Sequence, residues 1–96
     1  MCTYATEQVS LTARARTERG WQPAARATVY FDHPVAFPAG HSLNVDIFSD
    51  EEGTLTRVAA LELDPRSARA LATAILRLLA ATPPELLDEP ASPRQP

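Results

Sequence analysis

The sequence is poor in the residues that several common kinds of site require. It has one cysteine, three glycines and no lysine among its 96 residues. A single cysteine excludes an internal disulfide, and the few glycines argue against a glycine-rich phosphate loop. No apolar run reaches the ~18 residues that span a bilayer, and no secretion signal is visible. We therefore expect a cytoplasmic protein with a reduced thiol and no membrane partner.

Charge and length limit the partners and the core. The net charge is −3, and the nine basic residues, all arginine, form no dense stripe, so we do not expect nucleic acid as a partner. The apolar fraction of 45% is that of a globular chain. We predict one domain over residues 1–82 and an acidic, Pro-rich, disordered tail over residues 83–96. A domain of about 80 residues has a marginal core, which favours a homo-oligomer.

Two segments with strict alternation, residues 26–33 and 41–48, organise the chain, and the loop 34–40 joins them. Alternation predicts two strands with one buried face and one wet face. The predicted apolar face carries Ala27, Val29, Phe31, Leu43, Val45 and Ile47. The predicted polar face carries Arg26, Thr28, Tyr30, Asp32, Ser42, Asn44 and Asp46. If the loop closes symmetrically about Phe37, Tyr30 lies opposite Asn44, and Thr28 lies opposite Asp46.

The remaining segments complete an α+β pattern. Residues 9–16 and 57–63 also alternate and predict a first and a fourth strand. Residues 17–24 contain Gly20 and Pro23 and predict a turn, in which the indole of Trp21 covers the core edge. Asp64 followed by Pro65 is a strong helix start, and an apolar stripe follows at three- and four-residue spacing.

These elements predict a two-layer fold of order β-β-β-β-α. It is a four-stranded antiparallel meander with one C-terminal α-helix on its apolar face. The polar face would then be open to solvent, to a ligand or to a second copy of the chain.

Several segments also carry a resemblance to a family. They are Met-Cys-Thr-Tyr at the start, Tyr-Phe-Asp-His-Pro at 30–34, His-Ser-Leu-Asn-Val-Asp at 41–46 and Leu-Glu-Leu-Asp-Pro-Arg-Ser-Ala-Arg-Ala-Leu at 61–71. Over nearly all of residues 1–83 the chain resembles a family of short actinobacterial proteins of unassigned function. The resemblance implies a soluble bacterial protein and a small α+β fold. It implies no activity and no catalytic residue.

The sharpest candidate for chemistry is a histidine pair. The symmetric loop places His33 opposite His41, where directly opposed Cβ atoms lie about 4.5–5.5 Å apart. Two imidazoles at that distance can bind one transition-metal ion, and Cys2 is a candidate third ligand. The plainer interpretation is that both histidines sit at strand ends and bond to the backbone there.

The polar face is the second candidate. Tyr30, Asp32 and Asp46 are candidate catalytic groups, provided that something covers the face and shifts a pKa. Arg14, Tyr30 and Asn44 are candidate ligand-binding residues, with Arg14 holding a carboxylate or phosphate through its two-pronged guanidinium. A solvated outer face is the plainer interpretation.

Two functions follow from these features. The first is a small non-catalytic binding domain, working as a homodimer, that recognises a partner protein or a small ligand. The alternative is a compact enzyme, either metal-dependent or cofactor-free, with a site near Cys2, His33 and His41.

Overall fold

The computed structural model describes residues 5–89, which form one antiparallel sheet followed by helix. The strands are β1 (Thr6–Thr17), β2 (Gly20–Asp32), β3 (Ser42–Glu51) and β4 (Thr54–Leu63), and the helices are α1 (Pro65–Ala81) and α2 (Pro84–Leu87). The four strands lie side by side in chain order. The α+β meander predicted from the alternation is therefore confirmed.

The central hairpin has the predicted register. Val29 lies opposite Val45, Tyr30 lies opposite Asn44, and β3 and β4 continue the two faces so that Leu61 lies opposite Val45. The symmetric closure about the loop 34–40 is what fixes this register, because a slip of one residue would exchange the faces.

The β1–β2 connection is shorter than the sequence predicts. β2 begins at Gly20, which has a φ of 92°, and Pro23 lies inside the strand. β3 pairs with β2 only from Arg26 onward, so the part of β2 before Arg26 has a neighbouring strand, β1, on one side alone. Pro23 is tolerated there because no second strand needs its missing amide proton. Trp21 is 58% exposed, so its indole can cover the core edge only in part.

Each edge strand contains a bulge, and beyond the bulge its side chains point to the opposite face of the sheet from the one that strict alternation predicts. In β1 the register shifts between Ser10 and Ala13, and beyond the shift Arg14 lies opposite Pro23. Pro23 has the parity of Val29, so the prediction that Arg14 lies on the polar face with Tyr30 is wrong. In β4 the extra residue is Val58, which turns Arg57 to the polar face. Bulges increase local twist, and the edge strands β1 and β4 contact each other.

The helix begins as predicted. The Asp64 carboxylate accepts a hydrogen bond from the Ser67 amide at 2.7 Å, and Pro65 occupies the first turn. The helix ends at Ala81 and is capped by Thr82, whose hydroxyl donates to the Leu78 carbonyl at 2.7 Å. α1 contacts mainly β3 and β4, and none of its residues is buried. The helix therefore covers only part of the apolar face of the sheet.

Part of the segment predicted to be disordered has local structure, since Pro84–Leu87 forms a single helical turn. Residues 90–96 lie outside the described residues, as does Cys2. Across residues 5–89 we find no helix with the length and apolarity that crossing a bilayer requires.

Candidate functional site

The two histidines meet at the end of the central hairpin. The ring centroids of His33 and His41 lie 4.6 Å apart, and the rings are tilted by 36°. His41 also stacks on Phe31, with centroids 5.8 Å apart and planes within 6°. The predicted juxtaposition of the imidazoles is therefore present.

A backbone contact fixes the tautomer of His33. Its Nδ1 lies 2.9 Å from the Gly40 carbonyl oxygen. A carbonyl can only accept, so Nδ1 carries the proton and a neutral ring keeps its lone pair on Nε2. Histidines that bind metals are commonly oriented in this way.

Only two of the three predicted metal ligands, His33 and His41, lie within the described residues. Among residues 5–89 no three His, Cys, Asp or Glu side chains are grouped so that they could hold a metal ion. Cys2, the predicted third ligand, lies outside that range. The metal site formed by His33, His41 and Cys2 stays a prediction.

The loop 34–40 is fastened to the polar face by one carboxylate. Glu62 on β4 accepts hydrogen bonds from the amides of Val35 at 2.5 Å, Ala36 at 2.8 Å and Phe37 at 2.7 Å. These bonds favour the ionised carboxylate, so they lower the pKa of Glu62, with the Val35 bond contributing most. We call this arrangement the Glu62 clasp.

The Glu62 clasp lies over one end of the polar face. Ser42 and Asn44 beneath it are buried, and the Ser42 hydroxyl donates to the Asn44 side-chain oxygen at 2.5 Å. Asn44 is only 3% exposed. Asn44, one of the predicted ligand-binding residues, is therefore closed to a ligand in this conformation.

Glu62→Gln should loosen the loop and lower the thermal unfolding midpoint at neutral pH, because the amide cannot accept all three bonds and carries no charge. The pKa of Glu62 is lower in the fold, so its stabilisation is complete above the ordinary value of 4.5 and is lost as the pH falls through the folded value. The difference between wild type and Glu62→Gln should shrink below that pH. Thermal unfolding across pH measures this difference, with Glu51→Gln as the control at the exposed end of β3. Equal effects of the two substitutions would contradict the clasp.

A chain of three side chains occupies the middle of the polar face. The Tyr30 hydroxyl donates to Asp46 Oδ2 at 2.9 Å, and Arg57 Nη1 lies 3.7 Å from Asp46 Oδ1. Burial and then the bond to Asp46 raise the pKa of Tyr30. The phenol therefore stays protonated at neutral pH and acts as a hydrogen-bond donor, not as a base.

The structure brings together two of the three predicted catalytic residues. Tyr30 and Asp46 are bonded, whereas one oxygen of Asp32 accepts from the adjacent His33 amide at 2.7 Å. Arg14 lies elsewhere, and its guanidinium contacts the Trp21 carbonyl oxygen at 3.5 Å.

Sequence reasoning missed Arg57, which stands nearer to Tyr30 than Arg14 does in the sheet register. A signal was present, because in an unbroken strand Arg57 would share the parity of Ala59 and Leu61. A charge on an otherwise apolar parity indicates either a strand end or a bulge.

The comparisons with known proteins identify a family but no activity. The model of a family of unknown function, DUF6295, matches residues 1–88. No match was found among curated proteins or among solved structures. The match confirms the resemblance to a family of unassigned function, whereas the actinobacterial source stays a prediction.

Proposed function

The chain belongs to DUF6295, a family of unknown function, and we propose that it is a non-catalytic interaction domain that works as a homodimer. The apolar face of the sheet, together with the apolar stripe of α1, would form the surface between the two copies. The part of the polar face that the Glu62 clasp does not cover would stay open for a ligand or a partner protein.

The thin core of a single copy carries this proposal. Within the described residues the buried apolar side chains are only Ala24 and Ala27. Leu61 on β4 is 50% exposed and Ile75 on α1 is 52% exposed. Several further side chains on these two surfaces are also largely exposed: Val9, Leu71, Leu78 and Leu79. Full burial of such a side chain contributes about 1.5–3 kcal/mol, and much of that gain is unrealised in one copy.

The dimensions of a single copy are larger than those of a compact monomer of the same length. The Cα radius of gyration is 15.2 Å, whereas a compact domain of this length has about 12 Å. The accessible surface is 7658 Å², roughly 2,000 Å² more than a compact monomer of 10.4 kDa exposes. A standard interface removes about 800 Å² from each partner. The excess is larger than this area, as expected if a single copy leaves part of an interface uncovered.

A second copy fits this surface better than an unrelated partner does. An apolar groove of about 470 Å³ remains between α1 and the sheet, lined by Val29, Phe31, Leu43, Pro65, Ala68, Arg69 and Ala72. The exposed apolar side chains of α1, such as Ile75 and Leu79, are large enough to fill such a groove. A two-fold axis would let each helix cover the sheet of the other copy.

The experiment is denaturant unfolding at several protein concentrations. Because a dimer is stabilised by mass action, its unfolding midpoint should rise with concentration. A midpoint that is constant over a hundredfold dilution series, in a folded protein, would refute the homodimer.

The histidine pair favours a second candidate, the metal-dependent enzyme. The Nε2 lone pair of His33 and the nearby ring of His41 could provide two ligands for a transition-metal ion. Elemental analysis of untagged protein tests this candidate. Bound zinc that is lost in His33→Ala would support it, whereas metal-free protein would remove it.

A further inference from the structure

A cleft opens where the bulged edge strands curl toward each other. It has a volume of about 480 Å³, within the ~300–1,000 Å³ range of small-molecule sites. Its two walls come from opposite edges of the sheet, one from the β1–β2 connection and one from β4. The lining residues are Thr17, Glu18, Arg19, Gln22, Arg57 and Val58.

Both arginines of the cleft reach it through local backbone features. The bulge at Val58 turns Arg57 onto the polar face, opposite Phe48. Arg26 lies opposite Phe48 on the other side, so two arginines flank one aromatic ring in the sheet register. Arg19 comes from the turn between β1 and β2. Bulges beside binding sites commonly re-aim a side chain in this way.

The wall that carries Arg19 is held in place by its own hydrogen bonds. The Arg19 amide donates to the Thr17 hydroxyl oxygen at 3.1 Å, and the Gln22 side chain donates to the Arg19 carbonyl at 3.3 Å. On the other wall, Asp46 lies 3.7 Å from the Arg57 guanidinium and itself accepts from Tyr30. Such support reduces the entropy lost when a ligand binds.

The local charge is positive in an acidic chain. Among the residues that line the cleft, Arg19 and Arg57 are positive and Glu18 is negative, which gives +1 along the lining against −3 for the whole chain. Asp46, outside the lining, offsets part of the Arg57 charge. Guanidinium groups bind carboxylate and phosphate oxygens through paired N–H donors.

We propose that this cleft binds the oxyanion group, phosphate or carboxylate, of a small organic molecule. Arg19 and Arg57 hold the oxyanion from opposite walls, and the apolar part of the molecule lies against Val58. The site is on the polar face, so it remains open in a homodimer formed through the apolar face. The proposal does not depend on the homodimer, because one chain forms the whole cleft.

Phenyl phosphate, benzoate and inorganic phosphate are the probes, titrated into isotope-labelled full-length protein while amide shifts are followed by NMR. Saturable shifts should be confined to residues 17–22 and 57–58. Arg19→Gln and Arg57→Gln should each weaken binding about tenfold or more, as expected for a lost hydrogen bond to a charged group. Stronger binding of phenyl phosphate than of benzoate would assign the ligand as a phosphate ester, and the reverse order would assign it as a carboxylate.

Arg16→Gln is the matched control, because it removes the same charge from β1 but lies opposite Trp21 on the other face. It should leave the affinity unchanged. Arg19 lies on an exposed turn, so Arg19→Gln tests the site even if Arg57→Gln disturbs folding through Asp46. The absence of saturable shifts with all three probes, or equal weakening by Arg16→Gln and Arg19→Gln, would overturn the proposal.

Discussion

Ile75→Asp is expected to convert the homodimer into monomers. Ile75 lies in the middle of the apolar stripe of α1 and is half-exposed in a single copy. In the dimer its side chain would be covered, and an unpaired carboxylate buried there costs several kcal/mol. Each 1.4 kcal/mol weakens the dissociation constant tenfold, so a loss of at least about a thousandfold is expected. Sedimentation velocity measures the change, and circular dichroism shows whether the fold is kept.

Ala70→Asp provides the control for this substitution. Ala70 is exposed on the same helix, five residues earlier and therefore about 140° around the axis. The same charge should leave the dimer intact there, since that side of α1 carries the arginines and faces solvent. If both variants stay dimeric, or both dissociate equally, the helix stripe is not the interface.

Phe31→Ala is expected to lower the free energy of unfolding by about 2–3 kcal/mol. Truncation of a buried phenylalanine costs about 3–5 kcal/mol, and Phe31 is only half-buried. The ring lies opposite Leu43, stacks on His41 and lines the groove beside α1, so its removal weakens strand packing and helix docking together. Urea unfolding at a fixed protein concentration measures the loss.

Two companion variants test this interpretation of Phe31. Val35 is 98% exposed on the loop, so Val35→Ala should change stability by less than about 0.5 kcal/mol. Phe31→Leu should fall between wild type and Phe31→Ala, since it keeps apolar volume but loses the ring contact. A Phe31→Ala protein as stable as Val35→Ala would show that the apolar face contributes little to the fold.

Much of the fold could be predicted because alternation determines which residues share a face. The equal number of residues on each side of Phe37 set the register of the central hairpin and brought His33 to His41. Asp64 and Pro65 marked the helix start through the hydrogen-bonding needs of its first turn. Each of these features depends on neighbours close in the sequence.

The bulges and the Glu62 clasp could not be predicted in the same way. A bulge without glycine needs only a local change of backbone angles, which ordinary residues such as Val58 accept. The clasp depends on backbone amides, which every residue except proline offers, so no side-chain pattern marks residues 35–37. For these reasons the sequence indicated Arg14 as the arginine of the polar face, whereas the structure places Arg57 there.

The most direct test of the homodimer is the mass of the unmodified chain in solution. Light scattering coupled to size-exclusion chromatography should give twice the chain mass of 10.4 kDa at micromolar concentration, because two half-covered apolar surfaces would be buried against each other. A single species with the mass of one chain, folded and unchanged at the highest concentration reached, would contradict the proposal.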